Sequence, residues 1–147
     1  MLQNIKINQI SENEIWVGKN KLSLINDNII YVVSVGEQTS QMAIAHKSVC
    51  LNFSSKINGK TNYLIDLNKC GKNSPEARKI WIELSSHKNT HKVATFGLNP
   101  VARVIASFVI GVYNQNNMRF FKTKEKGLKY LSEKNNIEAP KVLNNNY

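Results

Sequence analysis

Ile29-Ile30-Tyr31-Val32-Val33-Ser34-Val35 is a β-branched run, and the chain changes its period directly after it. From Thr39 onward the apolar residues Met42, Ala45, Val49, Phe53 and Ile57 recur at helical spacing. A strand of period two that gives way to a helix of period 3.6 marks the first βα unit of a layered domain. Asn58-Gly59 then stops the helix, since glycine tolerates the left-handed backbone of a helix end.

Upstream, Glu14-Ile15-Trp16-Val17-Gly18 and Lys21-Leu22-Ser23-Leu24-Ile25 have strand character. Asn26-Asp27-Asn28 is turn chemistry, so the second of these runs and Ile29–Val35 should form an antiparallel hairpin. Residues 1–13 lack periodicity and are expected to form a loose N-terminal arm.

Downstream the alternation repeats. Asn62-Tyr63-Leu64-Ile65-Asp66-Leu67 is nearly continuous in apolar character, as a strand covered on both faces should be. A polar loop over 68–73 leads to Ser74-Pro75-Glu76-Ala77, a serine N-cap followed by proline at the first helical position. Ala77, Ile80, Trp81 and Leu84 form the buried stripe of that helix. Lys92–Gly97 reads as a further buried strand, and Asn99-Pro100 opens another helix. Its stripe is Val101, Val104, Ile105, Phe108, Val109 and Val112. A strand at Met118–Lys122 and a helix capped by Thr123 close the domain.

The predicted fold class is α/β: five or six strands and four helices, in a mixed sheet with an N-terminal antiparallel hairpin. Alternating βα units follow it, with the helices mainly on one face. The domain should span residues 14–134, with 135–147 as a flexible C-terminal tail.

The chain has 147 residues, with 20 Lys+Arg against 10 Asp+Glu and a net charge of +10. This length supports one domain with its own core and excludes a multidomain enzyme. The charge raises nucleic-acid binding, but the lysines are scattered and arginine occurs only at Arg78, Arg103 and Arg119. A dedicated phosphate-binding surface clusters such residues with aromatics or glycine. Nucleic acid is therefore a weak third reading, and Phe120-Phe121 fits a core strand better than a base-stacking platform. Two cysteines, Cys50 and Cys70, are too few for a disulfide framework and read as reduced thiols, on a helix and in a strand-to-helix loop. The N-terminus has no signal-peptide pattern, and the longest apolar stretch, Val104–Tyr113, is too short to span a membrane. The expected setting is cytoplasmic.

Catalytic signatures are missing. Gly59-Lys60-Thr61 has Ser54 where a phosphate-binding loop needs glycine, and no Gly-x-Gly-x-x-Gly occurs. His87 and His91 are four apart, but no cysteine or carboxylate nearby completes a metal set, and both read as solvated near a helix end. His46 is isolated and is expected at a boundary. Asp66 ends a central strand, where open α/β sheets place functional groups, yet the favoured reading is structural, with its carboxylate accepting bonds from backbone amides of the following loop. No second acid or base accompanies it. The reading is non-enzymatic, with no metal or cofactor implied.

Three runs resemble the bacterial STAS-like, or SpoIIAA-like, family of small proteins related in fold to anti-sigma-factor antagonists. They are Tyr63–Leu67 leading to Pro75-Glu76-Ala77-Arg78, Val93–Gly97 with Asn99–Phe108, and Phe120–Leu131. The resemblance implies a regulatory domain acting through protein contacts. It also places Ser74 nearest the family's phosphorylated serine, at the start of the helix after the Asp-containing strand, although the Asp-Ser-Ser-Gly context is absent here. The fold is similar to CRAL-TRIO lipid-binding domains as well, which implies a lipid or other apolar ligand as the alternative.

The helix from Pro100 to Val112 bears on both. Beyond its stripe it carries Ala102, Ala106, Ile110 and Tyr113, more apolar surface than a two-layer domain needs. Such a strip is covered within the monomer, forms a homodimer contact, or meets a lipid. The candidate residues are thus Ser74 and Asp66 for regulation, and Ala102, Arg103, Val104, Ala106, Phe108, Ile110, Tyr113 and Trp81 for an interface or ligand pocket. The homodimer is the expected assembly, with an unknown protein as partner.

Overall fold

The computed structural model describes residues 5–97 and 117–133. Seven strands lie side by side in chain order: β1 (Ile7–Ser11), β2 (Glu14–Val17), β3 (Asn20–Ile25), β4 (Ile29–Gln38), β5 (Thr61–Asn73), β6 (Thr90–Phe96) and β7 (Met118–Phe121). The described helices are α1 (Ser40–Ser55), α2 (Pro75–Ser85) and α3 (Lys124–Ser132). The fourth expected helix, from Pro100 to Val112, lies outside the described residues, as does the expected tail at 135–147.

β1 to β4 form an antiparallel meander, and β4 to β7 are parallel. The expected hairpin pairs Lys21–Ile25 with Ile29–Val33, and its turn holds Asn26 and Asp27 at positive φ, 51° and 66°. Short polar side chains that bond to their own backbone tolerate this geometry best. Right-handed crossovers that step one way across a parallel sheet put their helices on the same side. Accordingly α1 and α2 pack together on one face, while α3 lies on the other.

β4 and β5 are buried on both faces, and successive residues feed opposite cores. Ile30, Val32 and Tyr63 join the α1/α2 core with Leu22, Phe53 and Leu84. Ile29 and Leu64 join the α3 core with Ala94, Phe96 and Leu131. Gly127 lets α3 sit close to the sheet, since a Cβ there would come within 3.0 Å of the buried Leu64 Cδ1.

The structure corrects several expectations. Residues 7–11 of the expected loose arm pair with β2 as an edge strand. All five are exposed, so no apolar alternation announces the strand. Residues 68–73 continue β5 instead of forming a loop, because the long β4 pairs with them through Val35, Gly36 and Gln38 at two irregular steps. Cys70 therefore lies in a strand, and Asp66 lies mid-strand instead of at its end. The buried face of α1 is rotated to Ala43, His46, Val49, Cys50 and Phe53. His46 is no boundary residue: it is 0% exposed.

Candidate functional site

A cavity of about 100 Å³ lies between the sheet and the α1/α2 layer. Among the described residues its apolar wall includes Val32, Tyr63, Ile65, Leu84, Val93 and Met118. Its polar lining includes Ser34, Asn73, Ser85 and Thr95, together with Gln38 from the end of β4 and His46 from α1.

α1 aims His46 inward because Thr39 fixes where the helix begins. The Thr39 side chain accepts a bond from the Met42 N–H at 3.2 Å, and His46 follows at the helical spacing that buries Ala43 and Val49. Neither ring nitrogen of His46 has a hydrogen-bond partner. Burial lowers its pKa to about 4, so the imidazole is neutral near pH 7, with one N–H donor and one acceptor nitrogen.

Gln38 presents the third unpaired atom. Its Nε2 donates to Asn20 Oδ1 at 3.2 Å, Val35 O at 3.3 Å and Gly36 O at 3.0 Å. Three acceptors around one amide nitrogen fix the side chain's orientation, and Oε1 is left buried with no partner. A buried polar atom without a partner costs about 1–3 kcal/mol.

Trp81 of α2 lines the same cavity. Its indole N–H donates to Asn73 Oδ1 at 2.6 Å, and its ring meets the His46 ring edge-on at 5.1 Å. Asn73 in turn accepts at its carbonyl from Arg78 Nη1 at 2.8 Å and donates to Gly71 O at 3.3 Å. The end of β5 thus holds the tryptophan in place. Burial pushes the Cys50 thiol up to about 12, and it also raises Cys70 and Tyr63. The described groups around the cavity are neutral, and burial leaves the Cys50 and Cys70 thiols among them unactivated.

Ser74 caps α2, accepting from the Ala77 N–H at 3.0 Å, and its own N–H donates to Gln38 O at 3.0 Å. Asp66 shares the α3 face with Leu64, away from the cavity. Its carboxylate accepts from the Asn68 N–H at 2.9 Å and Asn68 Nδ2 at 3.0 Å, the bonds of a local turn-like clasp. Burial and, secondly, the charge of Asp66 raise the Tyr31 pKa. Ser74 and Asp66 therefore serve different faces and make no common site. Ala102, Arg103, Val104, Ala106, Phe108, Ile110 and Tyr113 lie outside the described residues. His87 lies in the turn after α2 and His91 in β6, and no metal-holding group of His, Cys, Asp or Glu occurs among the described residues. No described helix is long and apolar enough to cross a membrane.

Comparison with known families gives one match, to the family described as Domain of unknown function (DUF7793), over residues 23–135. The chain belongs to that family. A comparison with the curated proteins gives no match. Among solved structures, the DUF7793 chain is similar to an uncharacterized protein of the DUF3478 family with a SpoIIAA-like fold from Shewanella loihica PV-4. They are 17% identical with a TM-score of 0.54, covering 89% of this chain and 98% of that one. It is also similar to the anti-sigma factor antagonist SpoIIAA in its unphosphorylated form, at 12% identity and a TM-score of 0.52 over 76% of this chain and 96% of that one. The Bacillus cell fate determinant SpoIIAA in its phosphorylated form gives 13% identity and a TM-score of 0.51, covering 76% and 98%. The DUF7793 domain has the SpoIIAA-like fold, as the resemblance in sequence implied.

His46, Gln38 and Asn73 were not among the candidate site residues read from sequence, where His46 was expected at a boundary. His46 carried a usable signal, since it falls in register with Ala43, Val49 and Cys50 on one helical face. Gln38 and Asn73 carried none, because their roles depend on the pairing of β4 with β5.

Proposed function

We propose that this DUF7793 domain is a non-enzymatic regulatory module that works by binding another protein. The observation that carries the reading is the position of Ser74. It stands at the N-cap of α2 directly after β5, at the carboxyl end of the parallel strands, in a fold shared with a protein solved in phosphorylated and unphosphorylated forms. A phosphate on Ser74 would meet the positive end of the helix dipole and lie one residue from Asn73, the group that holds Trp81. The expected homodimer, through the apolar segment 100–113, belongs to the same proposal.

The test compares wild type, Ser74→Ala and Ser74→Asp as baits in the native cell, with phosphopeptide mapping of the wild type. A partner that Ser74→Asp loses and Ser74→Ala keeps supports the switch. Identical partners for all three, with no phosphate on Ser74, reject it. Native mass spectrometry of the purified chain reads the homodimer directly, and a monomer mass alone rejects that part.

A second reading, a binding module for a small apolar ligand, is favoured by the cavity at Trp81 and His46. Native mass spectrometry reads this too, as a retained adduct.

A further inference from the structure

We propose that the cavity between β4, β5, α1 and α2 is a binding site for a small neutral molecule, apolar over most of its surface, whose one polar end both donates and accepts a hydrogen bond at His46 and Gln38. This deepens, and rests on, the second reading above.

The polar groups define the chemistry of that end. Gln38 Oε1 can only accept, so it calls for a donor. The His46 ring offers one donor and one acceptor, and both are unmet. Three of the other polar lining groups are already engaged. Ser85 Oγ donates to Ile82 O at 3.0 Å, Thr95 Oγ1 to Arg119 O at 3.3 Å, and Asn73 is shared between Trp81 and Gly71.

Water fills such a space poorly. About 100 Å³ is room for roughly three waters at ~30 Å³ each, and each needs two to four polar partners. Among the described lining the buried unmet atoms are three, on two side chains, and most of the remaining wall is aliphatic or aromatic. A dry apolar cavity of ~150 Å³ accommodates benzene, so this smaller one suits a five-membered ring or a compact aliphatic body. A charged ligand is disfavoured, because no described cation or carboxylate lines the cavity to pair with it.

The experiment uses the full chain with two probes of equal ring size: pyrazole, which carries an N–H and an acceptor nitrogen, and thiophene, which carries no comparable pair. Binding is measured by calorimetry, and the His46 ring nitrogens are followed by NMR in the wild type. Expected is a pyrazole affinity roughly tenfold or more above that of thiophene, as one good buried hydrogen bond supplies. The His46 ring resonances should shift on its addition. His46→Phe, with its fold checked by circular dichroism, should erase the preference. Equal affinities with unmoved His46 resonances overturn the polar-end inference and leave the apolar-ligand reading standing. No binding of either probe overturns both, and so does a high-resolution structure grown with pyrazole that shows ordered water alone on His46.

Discussion

His46 and Trp81 meet edge to face, with ring centroids 5.1 Å apart and planes inclined at 65°. One ring comes from α1 and the other from α2, so this contact ties the two helices together over the cavity they help to line. The exposed Lys47–Glu83 pair also spans these helices, at 3.1 Å, but an ion pair in solvent adds at most about 1 kcal/mol. The buried ring contact is the more consequential link.

Protonating His46 must therefore disturb the fold. Its pKa is about 4 in the folded chain against 6.5 ordinarily, so between these values the unfolded chain binds the extra proton. Stability is then full above pH 6.5 and falls as the pH drops toward 4, by roughly 3 kcal/mol in all. Urea melts at a series of pH values measure this. His46→Phe should flatten that part of the profile relative to wild type, and parallel profiles would refute the assignment.

Ser74→Ala should cost about 1 kcal/mol through loss of the α2 cap, whereas Ser74→Asp should stay close to wild type because aspartate caps as well as serine. Denaturant midpoints decide this. The near-neutral stability of Ser74→Asp is what makes its partner binding interpretable.

Gly97→Ala should destabilise by about 1–3 kcal/mol. The residue sits at φ 146°, and a Cβ would come within 3.0 Å of the Asn68 backbone nitrogen. Neither the backbone nor this neighbour can give way easily. A thermal midpoint equal to that of wild type would contradict the close approach of β6 to β5 at this end.

Lys92→Met should loosen the end of α3. Lys92 is 8% exposed, and its ammonium donates to Tyr130 O at 3.0 Å and Glu133 O at 2.8 Å, closing the helix where its dipole is negative. Losing charge-assisted bonds of this kind costs about 1.5–3 kcal/mol. Hydrogen exchange should show faster exchange confined first to 124–133, and unchanged protection there would refute the role.

Cys50 should resist alkylation in the native state. Its thiol is raised from 9.0 to about 12, which lowers the reactive thiolate on the order of a thousandfold near pH 8, apart from any barrier of access. Labelling should follow the rate of unfolding, so rapid modification of Cys50 in native buffer would show an opening that the structure does not contain.

The residues alone determined the alternation of elements, the Asn26-Asp27 turn and the caps at Ser74 and Thr123, because period, turn chemistry and capping act over a few neighbouring positions. They could not announce β1, whose five residues are all exposed and acquire strand form only by pairing with β2. Nor could they show that β5 runs on to Asn73, since the extension depends on the length of β4 beside it. Trp81 was legible as a member of an apolar stripe, but its partners were not. Asn73 lies far in sequence from Gln38 and His46, and the packing of two helices on one sheet face brings all three around the same cavity. The unpaired state of His46 and Gln38 is likewise a property of the packed interior: desolvation makes a missing hydrogen bond costly, and no single-residue property records it.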